Sequence, residues 1–161
     1  MPQQKGKGKK LAKPSQPQLK ETPRPRRLAG IADGSDGRHP TWRLSFLDLE
    51  HAGSWSWQVT ANDLQQIVTF LKQMERLTWT EIYAQITSSR NGSHRKHHSM
   101  PVEQLCSEAQ RRLQQLQLDD FDELFRFRLS NKGRLWGIIE GHVFYPVWWD
   151  PEHKVYPQDH E

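Results

Sequence analysis

Apolar side chains alternate with polar ones near both ends of this chain and recur at helical spacing in its middle. Trp42, Leu44 and Phe46 alternate with Arg43 and Ser45, and Trp55, Trp57 and Val59 alternate with Ser56 and Gln58. Period two marks half-buried strands, and Ala52-Gly53 between the runs predicts an antiparallel hairpin. Thr60 with Asp63, and Thr78 with Glu81, have the spacing of a capping box. Leu64, Ile67, Val68, Leu71 and Met74 then predict one amphipathic helix; Trp79, Ile82, Tyr83 and Ile86 predict a shorter second one. Residues 88–98 have no periodicity and read as an exposed loop. Pro101 suits the first turn of a third helix with an apolar stripe of Val102, Leu105, Cys106, Ala109, Leu113 and Leu116.

Beyond the acidic stretch 119–123 the period returns to two. Phe125, Phe127 and Leu129 share one strand face, which leaves Arg126 and Arg128 together on the other. Asn131-Lys132-Gly133 is turn chemistry, Arg134 to Ile139 is the returning strand, and Glu140-Gly141 turns into a last strand from His142 to Trp149. Pro146 within that last run suggests an edge strand or a bulge. The order is strand, strand, three helices, three strands. It predicts one α+β domain over residues 41–157: an antiparallel sheet, made of an N-terminal hairpin plus a C-terminal three-stranded meander, with about three helices packed on one face.

Charge divides the chain. Residues 1–39 hold ten Lys/Arg against three Asp/Glu, a balance of +7, whereas the remainder is −3 and the whole +4. Residues 1–40 are almost without large apolar side chains and are expected to form a disordered basic tail, either a solubilising segment or an arm that grips phosphates through residues such as Lys5, Lys7, Arg24 and Arg26. The lone Cys106 excludes an internal disulfide framework and is expected to be a buried packing residue. With no apolar window of bilayer-spanning length and no apolar leader, a cytoplasmic protein without membrane partners is expected.

Candidate chemistry is sparse. A phosphate-binding glycine loop, paired CxxC, HExxH and GxSxG are all absent. His and Arg concentrate in three places. The stretch His94, Arg95, Lys96, His97, His98 can grip a phosphodiester and move a proton, or be a solvated surface loop. Arg126 and Arg128, with Arg134 after the turn, can hold one phosphate or carboxylate, or pair with Glu123 or Glu140. At the C-terminal run, Trp148 and Trp149 point to opposite faces, so one is expected in the core and the other against a ligand or partner. Asp150-Pro151 ends that strand, and His153 and Lys154 follow. His97, His98 and His153 with Arg128 and Arg134 are the catalytic candidates; Arg95, Lys96, Arg126, Trp148 and Lys154 are the nucleic-acid-binding ones. A metal site of His97, His98, Asp150 and His153 is disfavoured because adjacent His side chains diverge, so no metal and no cofactor is expected.

The segments Phe125-Arg126-Phe127-Arg128-Leu129, Gly133 to Ile138 and Trp148-Trp149-Asp150-Pro151-Glu152-His153 resemble a family of small, largely uncharacterised bacterial and phage proteins. His97-His98 and Ala109 to Leu113 belong to the same pattern, so the resemblance spans most of residues 42–157. At the level of fold, helices followed by a closing meander resemble RelE/ParE-type toxins. That resemblance implies metal-independent RNA cleavage of toxin or phage-defence type, with a basic residue assisting 2′-hydroxyl attack and Arg or Lys stabilising the phosphorane. It also implies a cognate antitoxin or other protein partner. The two-stranded start, extra helix and acidic body depart from that pattern. The alternative is a non-catalytic nucleic-acid or protein binding module.

Overall fold

Two threonines open the first two helices. Thr60 Oγ1 accepts the Asp63 N–H at 3.1 Å, and Asp63 accepts the Thr60 N–H at 3.4 Å, at the start of α1 (Ala61–Met74). Thr78 and Glu81 repeat the exchange at 3.3 and 2.7 Å at the start of α2 (Trp79–Ala84). Each box satisfies backbone donors that the first helical turn leaves without partners. In this computed structural model, which describes residues 35–157, α1 buries Ile67, Phe70 and Met74, while Leu64 and Val68 of the expected stripe stay exposed.

The basic tail expected over 1–40 lies almost wholly outside the described residues. Within the described residues, structure is present ahead of Thr41: Ser35–Gly37 is a 3-10 turn, the Arg38 carbonyl accepts the Trp79 N–H at 3.0 Å, and Pro40 is buried.

The third helix begins later than Pro101. Val102–Gln104 forms a 3-10 turn, and α3 (Ser107–Gln115) buries Ala109 and Leu113. Cys106 is its half-buried N-cap residue, not the fully buried helix residue expected.

The sheet has five strands in the order β1-β7-β6-β5-β4. The meander β5 (Glu123–Arg128), β6 (Arg134–Glu140), β7 (Val143–Asp150) is antiparallel as expected, and β4 (His98–Pro101) adds antiparallel to β5. β1 is only Thr41–Trp42 and pairs parallel with β7. The expected hairpin over 42–59 does not form. Its apolar residues part company instead: Trp42 and Trp57 pack against one hydrophobic cluster, Trp55 is buried in the other, and Leu44 is exposed. Side chains anchor it. Asp48, 2% exposed, accepts Arg112 Nε and Nη2 at 2.7 and 2.6 Å and Trp148 Nε1 at 2.9 Å, and Trp57 Nε1 donates to the Val147 carbonyl at 2.7 Å. Burial opposes ionisation of Asp48, but these donors and the Arg112 charge outweigh it and hold its pKa below the ordinary carboxylate value.

The sheet is covered on both faces and not on the one expected. Phe125, Phe127, Leu135, Ile139, Phe144 and Trp149 pack against α1 and α2; Leu124, Trp136, Ile138 and Trp148 pack against α3. Residues that alternate along a strand belong to opposite faces, so helices cover both sides of the sheet. Pro146 marks a bulge in an interior strand, with register shifting between Trp136 and Gly137. Gly137 is required there, since a Cβ would stand 2.3 Å from the Tyr145 carbonyl oxygen.

The supposed loop over 88–98 is ordered. β2 (Ile86–Ser89) and β3 (Gly92–Arg95) pair as a separate antiparallel hairpin, and β4 follows directly.

Candidate functional site: a cationic cleft over the sheet

Register across the sheet lines up the site. His98 pairs with Arg126, Arg126 with Trp136, and Trp136 with Trp148; in the next row Arg128 pairs with Arg134, and Arg134 with Asp150. The strand alternation that buries Phe125 and Phe127 on one face therefore delivers Arg126 and Arg128 to the other, as the sequence predicts.

Arg126 is the centre. It is 5% exposed, and its Nη2 donates to His98 Nε2 at 2.8 Å while its Nη1 donates to His153 Nε2 at 3.2 Å. Arginine stays protonated, so both imidazoles accept through Nε2. The remaining nitrogen of His98, Nδ1, donates to the Ser99 carbonyl at 3.1 Å. Burial pushes the His98 pKa down, which keeps that ring neutral at pH 7. The guanidinium Nε is buried without a partner. Burial, then the neighbouring Arg128 charge, lowers the Arg126 pKa to about 10.

Arg134, also 5% exposed, folds back on its own turn, donating to the carbonyls of Ser130, Gly133 and Asn131 at 2.8, 3.0 and 3.1 Å. Burial and then Arg126 push its pKa down to about 10 as well. Arg128 Nη1 reaches Thr87 Oγ1 at 3.1 Å and so ties the β2–β3 hairpin to the sheet. These three arginines contribute to a cleft of about 680 Å³. The hairpin contributes Ser88, Ser89, Arg90, Asn91 and His94; the β5–β6 turn contributes Asn131 and Lys132. The turn after β7 contributes Glu152, His153, Lys154 and Pro157. Glu152 is held by Lys132 at 3.2 Å, so the cleft carries a large positive surplus.

Asp150 shapes the last wall. Fully buried, it accepts the backbone N–H of Lys154 and Val155 at 2.8 and 2.9 Å and Trp136 Nε1 at 3.3 Å. Burial raises its pKa even though those donors favour the carboxylate. The turn it caps holds His153 in the left-handed region, φ 59°, a conformation that costs a non-glycine residue about 1 kcal/mol or more.

The sequence candidates thus separate. His153, Arg126, Arg128, Arg134 and Lys154 line the cleft, and His98 stands behind it, bonded to Arg126. His97 does not: it is fully buried on the other face, its ring edge-on to Phe70 and Phe127 at 5.7 and 5.3 Å. Its Nδ1 accepts the Arg128 N–H at 3.0 Å, so its proton is on Nε2 and points to Gln85 Oε1 at 3.2 Å. Burial, then the Lys96 charge, lowers its pKa to about 3. Such a ring fastens β4 to β5 and α2 and has no access to the cleft.

Trp148 is likewise core, 0% exposed and packed 4.6 Å from Trp55, and cannot stack on a base. Trp149, 2% exposed, enters the opposite core; with both faces covered, neither Trp is left over for a ligand. Arg95 lies 6.0 Å over the Tyr83 ring, and Lys96 uses its backbone N–H on the Gln85 carbonyl; neither lines the cleft. His97, His98, Asp150 and His153 do not converge, and among the described residues no group of three or more His, Cys, Asp or Glu is placed to hold a metal ion. His94 is a cleft residue that the sequence places only within a basic run; the alternating register of a hairpin is the signal that would have separated it from His97.

Among the described residues no helix is long and apolar enough to cross a membrane. The chain matches no known family model, no curated protein and no solved structure. The cleft's chemistry is what bears on its role.

Proposed function

We propose that the chain is a nucleic-acid-directed protein of the RelE-like, metal-independent endoribonuclease kind, which seats an RNA phosphodiester over Arg126, Arg128 and Arg134. The observation that carries this reading is a buried arginine held between two imidazoles, with no carboxylate among the described residues bonded to it and two further arginines beside it. Cations crowded in this way repel one another, and an incoming phosphate relieves the repulsion. In the proposed step His153 takes the proton of the 2′-hydroxyl, and O2′ closes on phosphorus. The arginines hold the phosphorane charge while the 5′-oxygen departs, protonated by His94 from the hairpin. Products would end in a 2′,3′-cyclic phosphate and a 5′-hydroxyl. An arriving phosphate would draw the Arg126 donors away from His153 and free its Nε2, since hydrogen bonds at such sites commonly rearrange on substrate binding.

Non-catalytic RNA binding is the second reading, favoured by one observation: the Nε2 atoms of both His98 and His153 are occupied by Arg126. One assay separates the two. Purified protein is incubated with total RNA in excess EDTA, alongside His153→Ala, His94→Ala and His98→Ala. Cleavage that falls by about 10²-fold or more in His153→Ala supports the proposed chemistry. RNA retained but uncut by the wild type supports the binding reading, and cleavage at wild-type rate in all three variants overturns the assignment of the histidines.

A further inference from the structure

We infer that this cleft recognises the sugar-phosphate backbone of a nucleic acid and is indifferent to its bases. The inference rests on the proposed function and specifies the ligand class of the same site.

Reading a base needs either an aromatic face to stack on or an unencumbered donor fork to match a base edge. Neither is offered. Among the described residues that line the cleft none is Phe, Trp or Tyr, the imidazoles of His94 and His153 are the rings present, and Pro157 is the one apolar side chain. Residues 1–34 and 158–161 contain no Phe, Trp or Tyr to supply a stacking platform from elsewhere in the chain.

The arginine forks are already engaged within the protein. Arg134 spends three donor contacts on the carbonyls of its own turn, Arg126 is bridged between His98 and His153, and Arg128 is held by Thr87 and, at 3.4 Å, by the Ser130 carbonyl. Arg128 and Arg134, anchored in this way, project charge into the cleft with little directional choice left, and Arg126 would leave an imidazole only for a stronger, charged acceptor such as a phosphate. A base edge discriminates by direction, whereas a phosphate answers to charge from any side. At the rim, Arg90 on the hairpin and Lys154 after β7 are exposed cations on different elements, placed to meet phosphates on either side of the one at the floor. Ser88, Ser89, Asn91 and Asn131 add short hydrogen-bonding groups of the kind that bind phosphate and sugar oxygens.

The test uses the full chain and 20-nucleotide poly-U, poly-A and poly-C RNAs, with affinity measured from 50 to 300 mM salt. Because Lys and Arg of the first 39 residues also bind phosphate, the comparison is made against Arg90→Gln/Lys154→Gln, whose substituted side chains are exposed and leave the core intact. Affinities for the three polymers are expected within about threefold of one another. The slope of log K against log salt is expected to fall in magnitude by about 1.4 in the double variant, about 0.7 per lost phosphate contact on a single strand. A preference of about thirtyfold or more for one polymer overturns the inference and leaves RNA binding standing. A double variant indistinguishable from wild type also overturns it, by assigning phosphate binding to the N-terminal segment. Failure of every polymer to bind at 50 mM salt overturns the RNA reading itself, a result distinct from either of the others.

Discussion

His97 gives the sharpest quantitative expectation. Unfolded, its imidazole titrates near 6.5. Folded, it is fully buried, its Nδ1 accepts the Arg128 N–H and its Nε2 proton is directed at Gln85, with burial and nearby cations lowering the pKa to about 3. As pH falls below 6.5 the unfolded chain takes up a proton that the folded one refuses. The contribution of His97 is therefore complete above pH 6.5 and is lost progressively toward pH 3. The gap corresponds to about 5 kcal/mol when fully developed and to about 2 kcal/mol between pH 7 and pH 5. For a domain of this size, with an m-value of about 2 kcal/mol per molar urea, the unfolding midpoint should drop by about 1 M over that interval. His97→Asn keeps an acceptor for the Arg128 N–H and removes the titration. It should be less stable at pH 7, yet its midpoint should move far less between pH 7 and 5 than that of the wild type. Equal movement in both proteins would refute the reasoning, because the acid sensitivity would then lie elsewhere.

Two further outcomes follow from other buried positions. Asp150→Ala strands the buried Trp136 Nε1 and Val155 N–H, at about 1–3 kcal/mol each less the relief of removing a desolvated carboxylate. A net loss of about 2–4 kcal/mol in urea unfolding is expected, and a change below about 1 kcal/mol would contradict the account of the turn that carries His153. Gly137→Ala should cost about 3 kcal/mol because its Cβ meets the Tyr145 carbonyl and the Phe144 ring, whereas Gly37→Ala, with nothing within 4 Å, should be nearly neutral. Equal melting temperatures for these two variants would show that β7 yields at the bulge without strain.

Local signals in the sequence were legible where they were redundant. Each capping box coincided with the onset of an apolar stripe, and α1 and α2 start where those boxes put them. The meander was visible because Phe125, Phe127 and the intervening arginines alternate on a strand with one apolar and one polar face. The failures have a common cause, since period-two apolarity reports alternating burial and says nothing of hydrogen bonding. In residues 42–59 Trp42 and Trp57 go to one core, Trp55 to the other and Leu44 to solvent, so the alternation predicts a strand where the chain runs as turns. Conversely, β2 and β3 have no apolar face, and without one a hairpin has no periodic signature. The expectation that Trp148 or Trp149 would be left for a ligand followed from covering the sheet on one side only. At the site, register sets His98 beside Arg126 and the Asp150-capped turn sets His153 there, while the opposite fates of His97 and His98 turn on where β4 begins.

The margins of the sheet limit how another polypeptide can join it. β1 offers two residues in parallel pairing, and β4 is four residues long and closes on Pro101, which has no N–H to donate. Such short margins discourage strand addition and the fibril-like stacking that longer bare edges invite. A protein that engages the five-stranded sheet is therefore expected to grip it through side chains and surface charge, and not by extending its ladder.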